Sequence, residues 1–474
     1  MSQLNLFEYK WNEKIPALLK GEPFENYLDN IWNDRPKVKN WHSEEIDESE
    51  AYKNKQRFIR FRAKEISSRN YVGVIRFNDT EINLLPKIFY KKEYDGIDGV
   101  PQKDIQNIHL HILYWLSYNK KIKFPKSLSD LKSIEVDSFF EILILMFATY
   151  TRDATNRILY QYFHEVNQDN QFIKGRLDVN GYIKNNISTG NWQRVTCDYD
   201  TFDIDNSFNR IIKHVSKILL AHTNNDESKK LLHEIVFLLD DVEDERMTYN
   251  DCEKVQLNPF FDELNAVLDY CKLFLSNSMI HSYKDEFKLF AFLLPMEKIF
   301  EEFVVGFLEE NRKDLDVKAQ KKDKYLASTQ DSGVFQLIPD IFVKNRANQL
   351  KNTIVDTKYK ILNQNTDSKK GVSQADMYQV VSYAIRYDVR NIILLYPASI
   401  SDLQESGSIG NKGSALTSFV VRDELANNKE EIKIKVHKLP MILDNYCEDF
   451  QILKEQLDNI ILNASFNIIS SIKF

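Results

Sequence analysis

Two aspartates and a lysine stand out in IPDIFVKNRANQLKNTIVDTKYK, residues 338 to 360: Asp340 and Asp356 each lie on an apolar run, and Lys358 follows the second by two. Antiparallel pairing of residues 336 to 343 with 353 to 359, about a loop centred near Asn348, puts Asp340 opposite Asp356. Like charges facing each other across a ladder destabilise it unless a cation sits between them. Side chains at i and i+2 of a strand project from one face, so Lys358 joins the carboxylates. Such a triad suits phosphodiester hydrolysis. Hard carboxylate oxygens hold Mg²⁺, the metal activates water, and an ammonium group orients the nucleophile or offsets charge on phosphate. The pattern itself is loose. In a chain with 63 Lys and Arg and 70 Asp and Glu, chance often supplies it, and a charged surface hairpin is the alternative.

Neighbouring helices add candidates. SQADMYQVVSYA places Gln379 and Tyr383 at i and i+4 on one helical face, where they could reach water, phosphate or the lysine. A surface amide and a half-buried tyrosine are the plainer reading. Upstream, Glu297 and Glu301 border the apolar stripe Met296, Ile299, Phe300, Phe303, Val304, Phe307 and Leu308, with Glu302 as a close competitor. Two solvated acids on an amphipathic helix would give the same pattern.

The elements that must position these groups follow from periodicity. Residues 56 to 90 read as strands: Tyr71, Gly73, Ile75 and Phe77 alternate with Val72, Val74 and Arg76, and Asn78-Asp79 supplies a turn before Ile82 and Leu84. From about 104 to 280 the spacing is mostly helical, over 104 to 118, 137 to 163, 206 to 222, 227 to 240 and 259 to 277. It is interrupted by QFIKGRLDVNGYIKNN, which has a β character and carries Gly175 and Gly181. A helix over 286 to 309, strands near 335 to 343 and 353 to 359, a helix over 374 to 387 and a strand over 391 to 396 give the last third an α/β order. The fold expected is α+β and multidomain: a β-rich module over 1–95, a mostly helical middle with a β insertion over 96–284, and an α/β domain over 285–474.

Composition narrows the function classes. At 474 residues with 43% hydrophobic content the chain has ample core for two or three domains. A net charge of -7 argues against indiscriminate coating of nucleic acid, although a local basic groove remains compatible. Cys197, Cys252, Cys271 and Cys447 are widely spaced without a CxxC, so they suggest thiols in a reducing cytoplasm rather than a zinc site or disulfide framework. The N-terminus MSQLNLFEYKWNEK lacks signal-peptide character, and no apolar run reaches the ~20 residues of a bilayer span, so a soluble cytoplasmic protein without membrane contact is expected. No GxxxxGK[ST] occurs, and GNKGS at 410 to 414 lacks the spacing, so nucleotide hydrolysis is expected of a partner.

The order of acidic helix, strand with Asp340, strand with Asp356-x-Lys358, and helix with Gln379 and Tyr383 resembles the PD-(D/E)XK nuclease superfamily. More narrowly, the chain is similar to the McrC-type subunits of bacterial McrBC modification-dependent restriction systems. YVGVIRFNDTEINLLPKI resembles that family's strand pair ending in an apolar-Pro-Lys-Ile signature, IKGRLDV and DIDNSFNRIIKHV its Gly-Arg-Leu and Asn-Arg signatures, and LLPMEKIFEEFV the helix that opens its nuclease domain. The similarity runs from about 57 to 396, while the length before 57 and in the helical middle exceeds compact members.

The resemblance implies Asp340, Asp356 and Glu301 as metal ligands, Lys358 as the catalytic lysine, and Gln379 and Tyr383 as a supporting pair. It implies Mg²⁺, with Mn²⁺ as an alternative, and no nucleotide bound by this chain. The implied partners are double-stranded DNA and a McrB-like AAA+ GTPase ring whose own domain recognises 5-methylcytosine. The N-terminal and middle parts would enter that ring and stimulate hydrolysis, and a homodimer through the nuclease domain is allowed. Arg176 and Arg210 are candidate contacts to ring or DNA, each with a structural role as its plainer reading. A catalytically silent, partner-binding activator and a stand-alone nuclease are the alternatives.

Overall fold

The computed structural model describes residues 2–11, 24–26, 28–29, 58–62, 65–77, 80–95, 99–118, 139–283, 287–330, 332–345, 352–362, 368–400, 415–422, 431–439 and 446–466. The turn at Asn78-Asp79, the loop about Asn348 and the GNKGS segment lie outside them.

The chain separates into two compact units, one of residues 1–140 with 277–474 and one of Glu141–Ser276. This differs from the expected three-part division, because the first and last thirds share one unit. The first unit's five-stranded sheet shows why. Strands β1 (Ser2–Phe7), β4 (Tyr71–Phe77) and β5 (Thr80–Leu85) are joined by β9 (Ser278–Tyr283) and β10 (Phe287–Pro295), in the order β1-β5-β4-β10-β9. A short hairpin, β2 (Ile59–Arg62) with β3 (Glu65–Ser68), accompanies it.

FKLFAFLLP therefore pairs as a strand with β4, and the helix expected from 286 begins only at Met296, running Met296–Asn311 after Pro295. A short continuous apolar run serves a buried strand as well as a buried helix, and proline ends the strand while fitting a helix start. Gly73 permits the close pairing: its φ is +133°, and a Cβ there would lie 2.1 Å from the Phe292 carbonyl oxygen.

The last third forms a six-stranded mixed sheet, ordered β11-β14-β15-β16-β18-β17. Its strands are β11 (Leu315–Ala319), β14 (Ile341–Asn345), β15 (Thr353–Thr357), β16 (Asn391–Pro397), β17 (Thr417–Arg422) and β18 (Glu431–Leu439). The central strands β15, β16 and β18 run parallel, and Ile354, Val355, Ile393, Leu394, Leu395, Ile434 and Val436 are fully buried, as expected of a sheet covered on both faces. A separate exposed hairpin, β12 (Lys324–Ser328) with β13 (Gly333–Leu337), precedes β14.

The strand expected over 335 to 343 is thus two strands broken at residues 338 to 340. Pro339 cannot donate to a ladder and restricts the residue before it, so the chain leaves one sheet and enters another there. The helix Gln374–Tyr387 matches its expected span: the Ser373 hydroxyl accepts from the Asp376 N–H at its start, and Asp388 ends it in the left-handed conformation at φ 53°.

The Glu141–Ser276 unit is helical around Ser207–His222, Asp226–Leu238, Tyr249–Lys254 and Asp262–Asn277. Its β insertion is three-stranded, β6 (Tyr162–Asn170), β8 (Val195–Asp203) and β7 (Arg176–Leu177), with β8 central. Gly175 sits at φ +71°, where a Cβ would meet the Asp198 carbonyl oxygen at 2.4 Å. Cys197, Cys252 and Cys271 are buried and free. Among the described residues no helix is long and apolar enough to cross a membrane.

Candidate active site

The register of β14 with β15, Ile341 opposite Val355 and Val343 opposite Thr353, continues one residue back to set Asp340 opposite Asp356. Asp340 stands just before β14, on the segment broken by Pro339. Its Oδ2 accepts from the Thr357 N–H at 2.8 Å and the Thr357 hydroxyl at 2.9 Å, while its carbonyl accepts from the Gln320 N–H. Asp356 lies on a strand that is buried throughout and is itself fully buried. Lys358 Nζ reaches Asp356 Oδ2 at 2.7 Å, so the two share a face as their spacing requires.

Burial raises both carboxyls above the usual carboxylate range. Asp340 is next raised by Asp356 and Glu301, with Lys358 opposing; for Asp356 the opposing charge and hydrogen bond of Lys358 come next, ahead of the raising effect of Asp376 and Glu301. Burial disfavours the Lys358 ammonium, but Asp356 and Asp340 outweigh it and raise its pKa, so the lysine stays charged. Asp356 Oδ1 is buried with no hydrogen-bond partner among the described residues.

Glu301 is the buried acid of the Met296–Asn311 helix, whereas Glu297 is exposed. It acts electrostatically on both aspartates, yet its own oxygens are engaged, Oε2 by Lys298 Nζ at 2.7 Å and Oε1 by Gln320 Nε2 at 2.9 Å. Gln379 and Tyr383 meet as expected: Gln379 Nε2 donates to the Tyr383 hydroxyl at 2.8 Å, and that hydroxyl donates to the Ile338 carbonyl at 3.0 Å. The tyrosine thus holds the segment that carries Asp340. Burial, with Asp356 and Asp340 nearby, raises its pKa, so it remains a donor.

Among the described residues no group of three or more His, Cys, Asp and Glu side chains is gathered to hold a metal. The donor set that is present, two facing carboxylates with one orphaned oxygen, fits Mg²⁺, which commonly takes one or two carboxylates and completes its shell with water and phosphate.

Sequence reasoning missed several members. Asp376 is buried on the Gln374–Tyr387 helix, pairs with Lys360 at 3.0 Å, accepts from the Tyr396 hydroxyl at 3.3 Å and repels Asp356. The Ser-x-x-Asp start of that helix was the available sign, but it also reads as simple capping. Thr357, the middle residue of Asp-x-Lys, and Lys298 carried no sign at all.

The two arginines differ. Arg210 is mostly buried and bonds Asp205 at 2.7 Å and Glu243 and Glu245 at 2.8 Å, a structural knot. Arg176 is 77% exposed on β7, paired with Asp198 at 2.9 Å. It is accompanied in the chain by exposed Phe172, Ile173, Val179, Ile183 and Trp192.

The fold and site define a multidomain α+β protein that carries a facing aspartate pair, one member fully buried, and a lysine on a mixed sheet. A chain from a solved assembly of Thermococcus gammatolerans McrB AAA+ hexamers with bound McrC is similar to it, at a TM-score of 0.65 and 17% identity, over 97% of this chain and 100% of that one. A cryo-EM structure of the Thermococcus gammatolerans McrBC complex matches at a TM-score of 0.49 and 17% identity, over 65% of this chain and 88% of that chain. No curated protein matches the sequence. The family described as McrBC 5-methylcytosine restriction system component matches residues 66–397, and the chain belongs to that family.

Proposed function

We propose that this McrC-type chain is the DNA-cutting subunit of its restriction system, a Mg²⁺-dependent endonuclease activated by an AAA+ GTPase ring whose hydrolysis it stimulates. The observation that carries this reading is that Asp340 faces the fully buried Asp356 beside Lys358. Two carboxylates raised by burial and by nearby negative charge, one with an orphaned oxygen, are costly in an apo fold and are relieved by a cation.

Asp340 and Asp356 would hold Mg²⁺ or Mn²⁺. When bound, the ion supplies Lewis acidity toward water and the scissile phosphate. The chain's own groups supply the rest. Thr357 fixes one oxygen of Asp340 through its N–H and its hydroxyl. Lys358 brings a permanent positive charge to the phosphate and the attacking water. Tyr383, itself oriented by Gln379, ties down Ile338 and so sets the height of Asp340 against Asp356. Glu301, held by Lys298 and Gln320, adds negative potential that favours cation entry.

Partner binding has its own support in the exposed apolar residues around Arg176, since large exposed apolar side chains in company mark interaction surfaces. The McrB AAA+ hexamers of the similar assembly are the type of partner this surface would meet.

The test combines the full chain with its AAA+ partner, GTP or ATP, Mg²⁺, and methylated or unmethylated duplex DNA. Cleavage by the wild type and its loss in Lys358→Ala and Asp356→Ala, with partner binding intact, is expected. Full cleavage by both variants would overturn the assignment. Partner stimulation without any cleavage would favour a silent activator, and cleavage without partner or nucleotide a stand-alone nuclease.

A further inference from the structure

Lys358 sits where the last strand ladder ends, and its strand-side anchor is its own N–H, which donates to the Leu395 carbonyl at 2.9 Å. β15 stops at Thr357, so residues 358 to 362 run on without a ladder. What holds the next residue comes from the first ninety positions of the chain. Lys87 Nζ donates to the Tyr359 carbonyl at 3.0 Å and lies 4.4 Å from the centre of the Tyr359 ring. The Tyr359 hydroxyl donates to Glu8 Oε2 at 2.9 Å, and that same oxygen accepts the Lys87 N–H at 3.0 Å. Glu8 is fully buried, Tyr359 nearly so, and the Tyr359 ring packs against Phe300.

The closure is local in space and remote in sequence. Glu8 follows β1, Lys87 follows β5, and these strands pair in parallel, with the Glu8 N–H bonded to the Leu85 carbonyl. The end of this strand pair is therefore a rigid fork, with a carboxylate on one prong and an ammonium on the other, closed on a single residue of the candidate site. A buried main-chain carbonyl deprived of its donor is destabilised and seeks another conformation. Here such a rearrangement would move the residue directly after Lys358.

We infer that Glu8 and Lys87 are positioning residues for Lys358, acting through Tyr359, so that the cutting site is completed by the N-terminal sheet. The inference rests on the nuclease reading for its effect on rate. It also gives Lys87, in the Leu-Pro-Lys-Ile stretch, a task at the site that its distance in sequence conceals. Neither residue touches the expected substrate position, so the effect belongs to turnover rather than to DNA capture.

The test uses the full chain with its AAA+ partner, comparing Lys87→Met, Glu8→Gln and Lys87→Arg with wild type. Lys87→Met and Glu8→Gln lower kcat at least tenfold, while KM for DNA and partner NTPase stimulation stay near wild type, and Lys87→Arg recovers most of the rate. A second readout needs no cleavage: the rate at which acetic anhydride acetylates Lys358, followed by mass spectrometry, rises several-fold in Lys87→Met. Wild-type kcat in both variants, or an unchanged acetylation rate, overturns the inference. So does a joint fall of kcat and stimulation without rescue by arginine. If wild type itself fails to cut, the nuclease reading fails, and the acetylation rate still decides whether the fork holds the lysine.

Discussion

The aspartates of the candidate site and four aspartates of the Glu141–Ser276 unit live under opposite conditions. In the Glu141–Ser276 unit Asp169, Asp198, Asp205 and Asp251 are held below the usual range, foremost by hydrogen bonds: from Thr196 to Asp169, from Asn167 to Asp198, from Arg210 to Asp205 and from Thr248 to Asp251. In the other unit Asp340 and Asp356 are raised, foremost by burial. The first set is satisfied and contributes to the fold. The second is a destabilising arrangement that Thr357 and Lys358 compensate only in part, and such arrangements persist where function needs them. Residue type is the same in both, so the environment separates a structural acid from a candidate ligand.

That contrast can be broken in order of effect. Lys358→Ala should lower cleavage on the order of a thousandfold or more, as the loss of one preorganised charge at developing phosphate charge commonly does, with a fall in Tm from the stranded Asp356 too small to account for it. Arg210→Ala reverses the pattern. It strands Asp205 and two glutamates and should cost about 1–3 kcal/mol of stability in chemical denaturation, without a specific effect on cleavage. A specific cleavage defect at normal stability would place Arg210 in the functional machinery instead.

Glu8 offers a smaller effect with a defined sign. Its carboxyl is pushed up from 4.5 to about 7, foremost by burial, against the pull of Lys87 and the Tyr359 hydroxyl. A group raised in the folded state contributes stability that is complete below its unfolded value and lost as pH rises through its folded value. Wild type should therefore lose Tm relative to Glu8→Gln between about pH 5 and about pH 8, and a constant difference across that window would contradict the burial. The smallest effect belongs to Arg176→Ala, which should leave Tm unchanged and weaken association with the AAA+ partner in a pull-down or interferometry measurement. An unweakened association would remove Arg176 from the partner surface.

Much of the site was legible because two strong regularities agree there. The alternation in IFV and TIV fixes the register that sets Asp340 against Asp356, and i, i+4 spacing alone brings Gln379 to Tyr383. The helix at Gln374–Tyr387 was equally plain, with a serine cap at its start. Other features had no local sign. FKLFAFLLP satisfies either a buried strand or a buried helix, and only its pairing with β4 decides. The break at residues 338 to 340 depends on one proline between runs that otherwise look continuous. The Lys87 contact to Tyr359 spans 272 positions, and nothing in either neighbourhood announces it. Reading Arg176 and Arg210 together concealed their difference, which lies in exposure rather than in sequence.

The central claim is that Asp340 and Asp356 form a cation site, and Tm with and without millimolar Mg²⁺ at about pH 5 and about pH 8 tests it most directly. Both carboxyls are raised, so the wild-type fold loses stability as they ionise and Mg²⁺ offsets that loss. The Mg²⁺-induced rise in Tm should therefore be larger at the higher pH, and absent in Asp356→Asn and Asp340→Asn. A wild-type Tm indifferent to Mg²⁺ at both values, or an equal rise in the two variants, would contradict a cation site at these aspartates.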